Sequence, residues 1–420
     1  MIFRYKIDFK RVLKGGFIHV LSANLLVTVF SFALQFFVAN LLGPVSLGQI
    51  KVIQSFFGIA TILVNFGFTT VMLKEIPLIR NNKNQKKLLN YVFRQVLLNF
   101  IVVYSFIGVG NYFNLFSLDE NLKLYLLVYS LGLLPLAFNS ISGVYLQSLK
   151  QFQRNSKIQI ISKLTSILVV VMLTWLLGLW GFIAGVLFGL LLTSLFYLTS
   201  GVNPHCKIPG NSNDFKNIWN TAFYSMLTFL TGKGAVFLDL IIASYLIDSQ
   251  LSIGYYGFAL TLIAGLNVVS GSVQQYFTPY ISSKVENILE FKTDLRSKKK
   301  KFNLVLLLIA AFCFITVPFV INFVFPKYIL STIFFNVLLI SWVLKSAYAL
   351  NNTGLVALGQ VRLCFIQNII SSLFSVGMLI FLVESYGILG AAYARVLTSL
   401  LGLLLSSFFY NHTLKTKYGH

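Results

Sequence analysis

Five ionisable residues, Lys51, Lys233, Asp239, Lys345 and Arg395, fall in long stretches that otherwise hold almost no charge. A charge at the centre of a bilayer costs about 2.5–3.5 kcal/mol even on the lenient insertion scale, so such residues face protein or water and point to function. In "LTGKGAVFLDLIIASYL" (230–246) Lys233 and Asp239 stand six residues apart. On a helix their side chains diverge by about 120° and miss the i, i+4 geometry that pairs charges. Two readings stand for these two residues. They are either a structural ion pair bridged by water or a neighbouring helix, or a cation for an anionic ligand beside a carboxylate for a coupling proton or sodium ion. Lys51 and Lys345 also have the option of snorkelling to the headgroups. Four cations against one carboxylate, a balance of about +3, suit an anionic ligand. Gly232 and Gly234 flank Lys233, where backbone or ligand can approach closely or the helix can bend.

The elements that must position these residues are membrane helices. The chain has 420 residues, 57% hydrophobic and 10% charged, with a mean hydropathy of +0.81. Soluble domains carry about 25% charged residues, and apolar runs of crossing length recur from end to end. The expected architecture is an all-α polytopic membrane protein with about twelve crossings. They are placed at 17–42, 47–73, 92–113, 122–147, 158–178, 180–200, 218–246, 253–281, 302–325, 329–350, 363–383 and 388–410. The first run is too long for a signal-peptide core and is read as a retained helix. Lys and Arg alternate between loops: the N-terminus, 74–94, 150–163, 201–217, 284–301, Arg362 and the tail are basic, while the intervening loops are nearly bare. By the positive-inside rule both termini are cytoplasmic. The net charge of +22 reflects that topology and the anionic headgroups beside it. The run "RSKKKK" (296–301) is read as a juxtamembrane anchor, with no nucleic acid as partner.

The chain also repeats itself. "GLWGFIAGVLFGLLLTSLFY" (178–197) is echoed by "GILGAAYARVLTSLLGLLLSSFFY" (387–410), with Gly178 and Gly181 over Gly387 and Gly390 at an offset of 209; Gly48 falls over Gly257 at the same offset. An offset of half the chain predicts two pseudo-symmetric six-helix lobes of like orientation. The expected organisation is a basic N-terminus (1–16), an N-lobe (17–200), a linker (201–217), a C-lobe (218–410) and a tail (411–420). Cys206, Cys313 and Cys364 are far apart and are expected to be free thiols; His205 beside Cys206 does not make a metal site. The sequence holds no paired acidic motif, nucleophile elbow or phosphate loop. The acids of the first half, Asp8, Glu75, Asp119 and Glu120, lie in termini, loops or helix ends. A cation exporter would want one at depth.

Several stretches carry a family resemblance. "LLGPVSLGQIKVIQSFFGIATILVNFGFTTVMLKEIP" (41–77) has a Leu-Gly-Pro turn and a Gly opening the second span, with Leu47 where a Tyr is usual. "DLIIASYLIDSQLSIGYYGFA" (239–259), "NNTGLVALGQVRLCFIQN" (351–368) and "GILGAAYARVLTSLLG" (387–402) follow in order. Together they resemble the Wzx-type polysaccharide repeat-unit flippases of the multidrug/oligosaccharidyl-lipid/polysaccharide exporter superfamily. The resemblance implies a MATE-like twelve-helix fold in the bacterial inner membrane. The implied substrate is an undecaprenyl-diphosphate-linked oligosaccharide, of O-antigen or capsule type, moved to the periplasmic face by alternating access. Membrane lipids, and polysaccharide polymerase or chain-length proteins, are the other partners it suggests. Lys233, Lys345, Arg395 and Lys51 are then the candidate substrate-binding residues and Asp239 the candidate ion-coupling residue. No catalytic residue, metal or cofactor is expected beyond a coupling proton or sodium ion. A lipid-linked peptidoglycan precursor flippase, a cation-coupled multidrug exporter and a membrane polysaccharide polymerase are the alternatives. The first commonly has two more helices, the second a carboxylate in the first lobe, and the third a long outer loop.

Overall fold

The structure, a computed structural model, describes residues 18–203, 216–247, 249–282 and 288–418. Thirteen α-helices succeed one another among the described residues: α1 (Ile18–Asn65), α2 (Phe68–Glu75), α3 (Asn82–Tyr112), α4 (Glu120–Ser130), α5 (Leu133–Ser148), α6 (Phe152–Thr199), α7 (Lys216–Phe229), α8 (Ala235–Leu246), α9 (Gln250–Ser282), α10 (Ile288–Val324), α11 (Ser331–Ala357), α12 (Val361–Tyr386) and α13 (Ile388–Tyr418). The N-terminal segment 1–16 and most of the expected linker, including His205 and Cys206, lie outside the described residues.

Nine stretches among the described residues are long and apolar enough to cross a membrane, and α7 with α8 forms a further, broken span. Two of the nine hold two crossings each. α1 and α6 are both 48 residues long, about 72 Å against a hydrocarbon core of about 30 Å, and each is interrupted by one non-helical glycine, Gly43 and Gly178. The expected twelve crossings are thereby accounted for. α3, α10 and α13 outrun their apolar cores because the flanking turns are polar and basic, which hydropathy does not register. The fourth crossing is divided into α4 and α5. Pro135 has no N–H for the Leu131 carbonyl one turn earlier, and Leu131 and Gly132 close the break with i→i+3 bonds to Val128 and Tyr129.

The contacts divide the chain into two compact units. One holds the chain up to Leu42 with Phe56–Leu230, and the other holds Gly43–Ser55 with the chain from Thr231 onward. In the first, Phe68, Met72, Leu88, Leu122 and Leu126 are fully buried, and the Trp219 indole N–H donates to the Tyr91 hydroxyl at 2.8 Å. In the second, α11 packs against α9, α10 and α13 around Trp342, Tyr256, Phe258, Phe335 and Tyr328. Large apolar side chains such as Leu168, Trp175, Phe312 and Phe323 are exposed, as lipid-facing positions require.

The half-chain repeat is visible as local geometry inside each unit. Gly178 has φ 60°, ψ −132° and Gly387 has φ 59°, ψ −147°, a region that residues with a Cβ avoid. Three residues on, Gly181 lies against the Leu173 carbonyl and Gly390 against that of Leu382, so all three pairs share the offset of 209. Gly390→Ala would drive a methyl group into that backbone oxygen. We expect it to lose about 1–3 kcal/mol of stability, read as a lower melting temperature in detergent, while Gly377→Ala, which meets nothing within 4 Å, stays near wild type.

Candidate functional site

α8, α11, α12 and α13 of the second unit enclose a cavity of about 160 Å³. Each contributes a polar stripe at helical spacing. α11 supplies Ser341, Lys345 and Tyr348 (i, i+4, i+7); α12 supplies Asn368, Ser371, Ser372 and Ser375 (i, i+3, i+4, i+7); α13 supplies Arg395, Thr398 and Ser399 (i, i+3, i+4). Asp239 reaches the cavity from α8, and Thr231 and Gly232 line it from the π-helical turn Leu230–Gly234 that precedes α8. That turn carries both glycines flanking Lys233, and such turns re-aim backbone at functional sites.

Arg395 forms the central contact. Its guanidinium is ion-paired through Nε to Asp239 Oδ2, and its Nη2 donates to the Val236 carbonyl at 3.1 Å, fastening α13 to α8. Asp239 is only 3% exposed and also receives the Tyr256 hydroxyl from α9 at 3.5 Å, a marginal contact from a fully buried ring. A carboxylate and a guanidinium this deep are stable only when matched to each other and to further polar groups. Ser341 donates to the Arg395 carbonyl at 3.2 Å and shares a 2.8 Å hydrogen bond with Ser399, holding α11 against α13 beside the pair. The Ser372 hydroxyl donates to the Thr231 carbonyl at 2.8 Å and ties α12 to the π turn.

Of the residues singled out from sequence, the structure brings Asp239, Lys345 and Arg395 together around this cavity. Asp239 takes Arg395 from 156 residues away as its partner. The side chain of Lys233 lies outside the described residues. Its backbone belongs to the turn that lines the cavity through Thr231 and Gly232. Lys51 is not among the lining residues; its stem packs over Gly257 of α9, whose added Cβ would meet Lys51 Cγ at 2.7 Å. The described lining side chains hold two of the four cations, Lys345 and Arg395, together with Asp239. With Arg395 neutralised by Asp239 and Lys51 elsewhere, Lys345 is the cation without a carboxylate of its own among the described lining side chains. The hydroxyl and amide lining lies outside the charged set singled out from the sequence. Its signal is the helical spacing of Asn368, Ser371, Ser372 and Ser375 in the middle of a largely apolar helix.

Two compact helical units, paired glycine breaks and nine stretches among the described residues long and apolar enough to cross a membrane define a multi-pass membrane protein. Solved structures share that fold. A multidrug resistance MATE family transporter of the MOP superfamily superposes with a TM-score of 0.75 at 16% identity, over 95% of this chain and 99% of that one. The lipid II flippase MurJ gives 0.76 at 16% identity, over 94% and 87%. A MOP-superfamily transporter from Pyrococcus furiosus Vc1 gives 0.53 at 16% identity, over 96% and 94%. The chain belongs to the polysaccharide biosynthesis protein family, whose pattern it matches over residues 37–332. No curated protein matches it.

Proposed function

We propose that this protein is a flippase for undecaprenyl-diphosphate-linked oligosaccharide repeat units, of O-antigen or capsule type, carrying them from the cytoplasmic to the periplasmic face of the bacterial inner membrane. The observation that carries the reading is the cavity of the second unit, where Lys345 and the Asp239–Arg395 pair lie among hydroxyl and amide side chains. Cationic donors answer the oxygens of a diphosphate, and Ser, Thr, Asn and Tyr side chains answer sugar hydroxyls. Membership of the polysaccharide biosynthesis family supports a glycan-bearing substrate, and the fold shared with a MOP-superfamily transporter supports alternating access as the mechanism. The head group enters the cavity while the polyprenyl tail stays in lipid. Asp239 is the coupling carboxylate in this scheme: proton or sodium binding there loosens its hold on Arg395 and frees a second cation for the substrate.

Deleting the gene in its host and extracting polyprenyl diphosphate lipids tests this reading. Loss of polymeric surface glycan, with single repeat units held on the carrier at the cytoplasmic face, is the expected outcome. Single units that reach the outer face unpolymerised would identify a polymerase instead. Unchanged glycan with new drug sensitivity would identify an exporter. Lys233→Ala, if inserted at wild-type level, should reduce surface glycan, with Lys233→Arg partly active; full display by Lys233→Ala would remove that lysine from the substrate path.

A further inference from the structure

A second polar cavity lies at the basic end of α10, away from the Asp239 site. It measures about 290 Å³, and among its described lining residues are Lys292, Arg296 and Lys299 from α10, Asn351 from α11, and Ser407 and Tyr410 from α13, with no carboxylate. The cations follow i, i+4, i+7 spacing and so share one helix face. The cavity is also built to hold its cation in place. Lys299 Nζ donates to Asn351 Oδ1 at 2.8 Å, and Asn351, 1% exposed, donates in turn to Ser406 at 3.2 Å and Ser407 at 3.1 Å. A neutral acceptor orients the ammonium without cancelling its charge, and an ammonium has three N–H donors.

Two features fit a lipid ligand. α10 has 37 residues, about 55 Å, against a hydrocarbon core of about 30 Å, so its basic first turns stand at headgroup level. Two of the helices that line the cavity, α10 and α11, also carry an apolar groove of about 590 Å³, lined by Ala310, Phe314 and Ile315 of α10 and Val337, Ile340 and Leu344 of α11. Cavity and groove are in register. Lys299 and Ala310 stand eleven residues apart, three turns along one side of α10, and Asn351, Leu344, Ile340 and Val337 form one stripe on α11.

We propose that cavity and groove together seat one anionic phospholipid, its phosphate oxygens on Arg296 and Lys299 and an acyl chain against Ala310 and Ile340. A zwitterionic headgroup brings its own cation to the basic cavity and binds less well. The test is the melting temperature of the full-length protein in neutral detergent. It is read with long-chain phosphatidylglycerol, phosphatidylcholine, short-chain phosphatidylglycerol or inorganic phosphate at equal phosphorus. Long-chain phosphatidylglycerol should raise it by about 3 °C or more, and the other three by less than half as much. Arg296→Gln with Lys299→Gln should remove most of the rise, while Lys300→Gln, outside the cavity, keeps it. Lys292→Gln gives the same reading should the double variant not fold. A rise matched by phosphatidylcholine or by inorganic phosphate, or one kept in full by the cavity variants, overturns the proposal.

Discussion

Asp239→Ala is expected to cost about 3–5 kcal/mol, enough to abolish folded protein at ordinary expression temperatures. It strands the Arg395 guanidinium in a low-dielectric site, and breaking one side of a buried pair is far more costly than replacing both sides. Arg395 has some access to the cavity, with its side chain 19% exposed, which places the loss toward the lower end of that range. The double variant Asp239→Leu/Arg395→Met should recover most of the loss, because it leaves no unmatched charge. Thermal unfolding of wild type, both single variants and the double variant closes the cycle. A double variant no more stable than Asp239→Ala would show that the pair does not bear on stability as its geometry requires. Transport by the double variant decides the role of the pair: stable but inactive protein marks Asp239 and Arg395 as part of the transport machinery, and active protein marks the pair as structural.

Lys345→Ala should give the largest functional loss without a matching loss of stability. Lys345 is the cavity cation with no carboxylate of its own among the described lining residues, so its removal leaves no carboxylate unpaired. A charge-assisted hydrogen bond to a phosphoryl oxygen contributes about 1.5–3 kcal/mol, which corresponds to a loss of roughly 10–150-fold in transition-state or substrate affinity. Lys345→Arg should keep part of the activity, since charge survives although donor geometry changes. Surface glycan measured at matched protein levels, with the melting temperature as a control, checks both. Wild-type glycan from a well-folded Lys345→Ala protein would exclude Lys345 from the substrate path.

The fold was legible because a bilayer imposes a strict grammar. Hydropathy placed the crossings, and the Gly178/Gly387 and Gly181/Gly390 repeat that suggested two halves reappears as matched positive-φ breaks and matched carbonyl contacts. Helix ends were less legible. The first turns of α3 and α10 are basic and polar, so nothing in their hydropathy says whether they are helix or loop. The site was legible only as a set of rare residues. Local spacing could argue that Lys233 and Asp239 do not pair along one helix, but not that the partner of Asp239 is Arg395, 156 residues later.

Residue composition alone settled that the chain lives in a membrane, and the length of its apolar runs that it does so as helices. Both are consequences of short-range energetics: every apolar run must be twenty or so residues long, and every backbone polar group must be satisfied within its own helix. Tertiary structure decided which charges meet. It brought Arg395 to Asp239, left Lys345 in the cavity, set Lys51 over Gly257, and turned the serines of α12 toward the charges. Charge count is a sum over the chain and carries no geometry, whereas the free energy of a buried charge depends on its neighbours within a few ångströms. Which helix faces which is determined by close packing, down to the Gly390 contact with the Leu382 carbonyl that lets α13 return against α12.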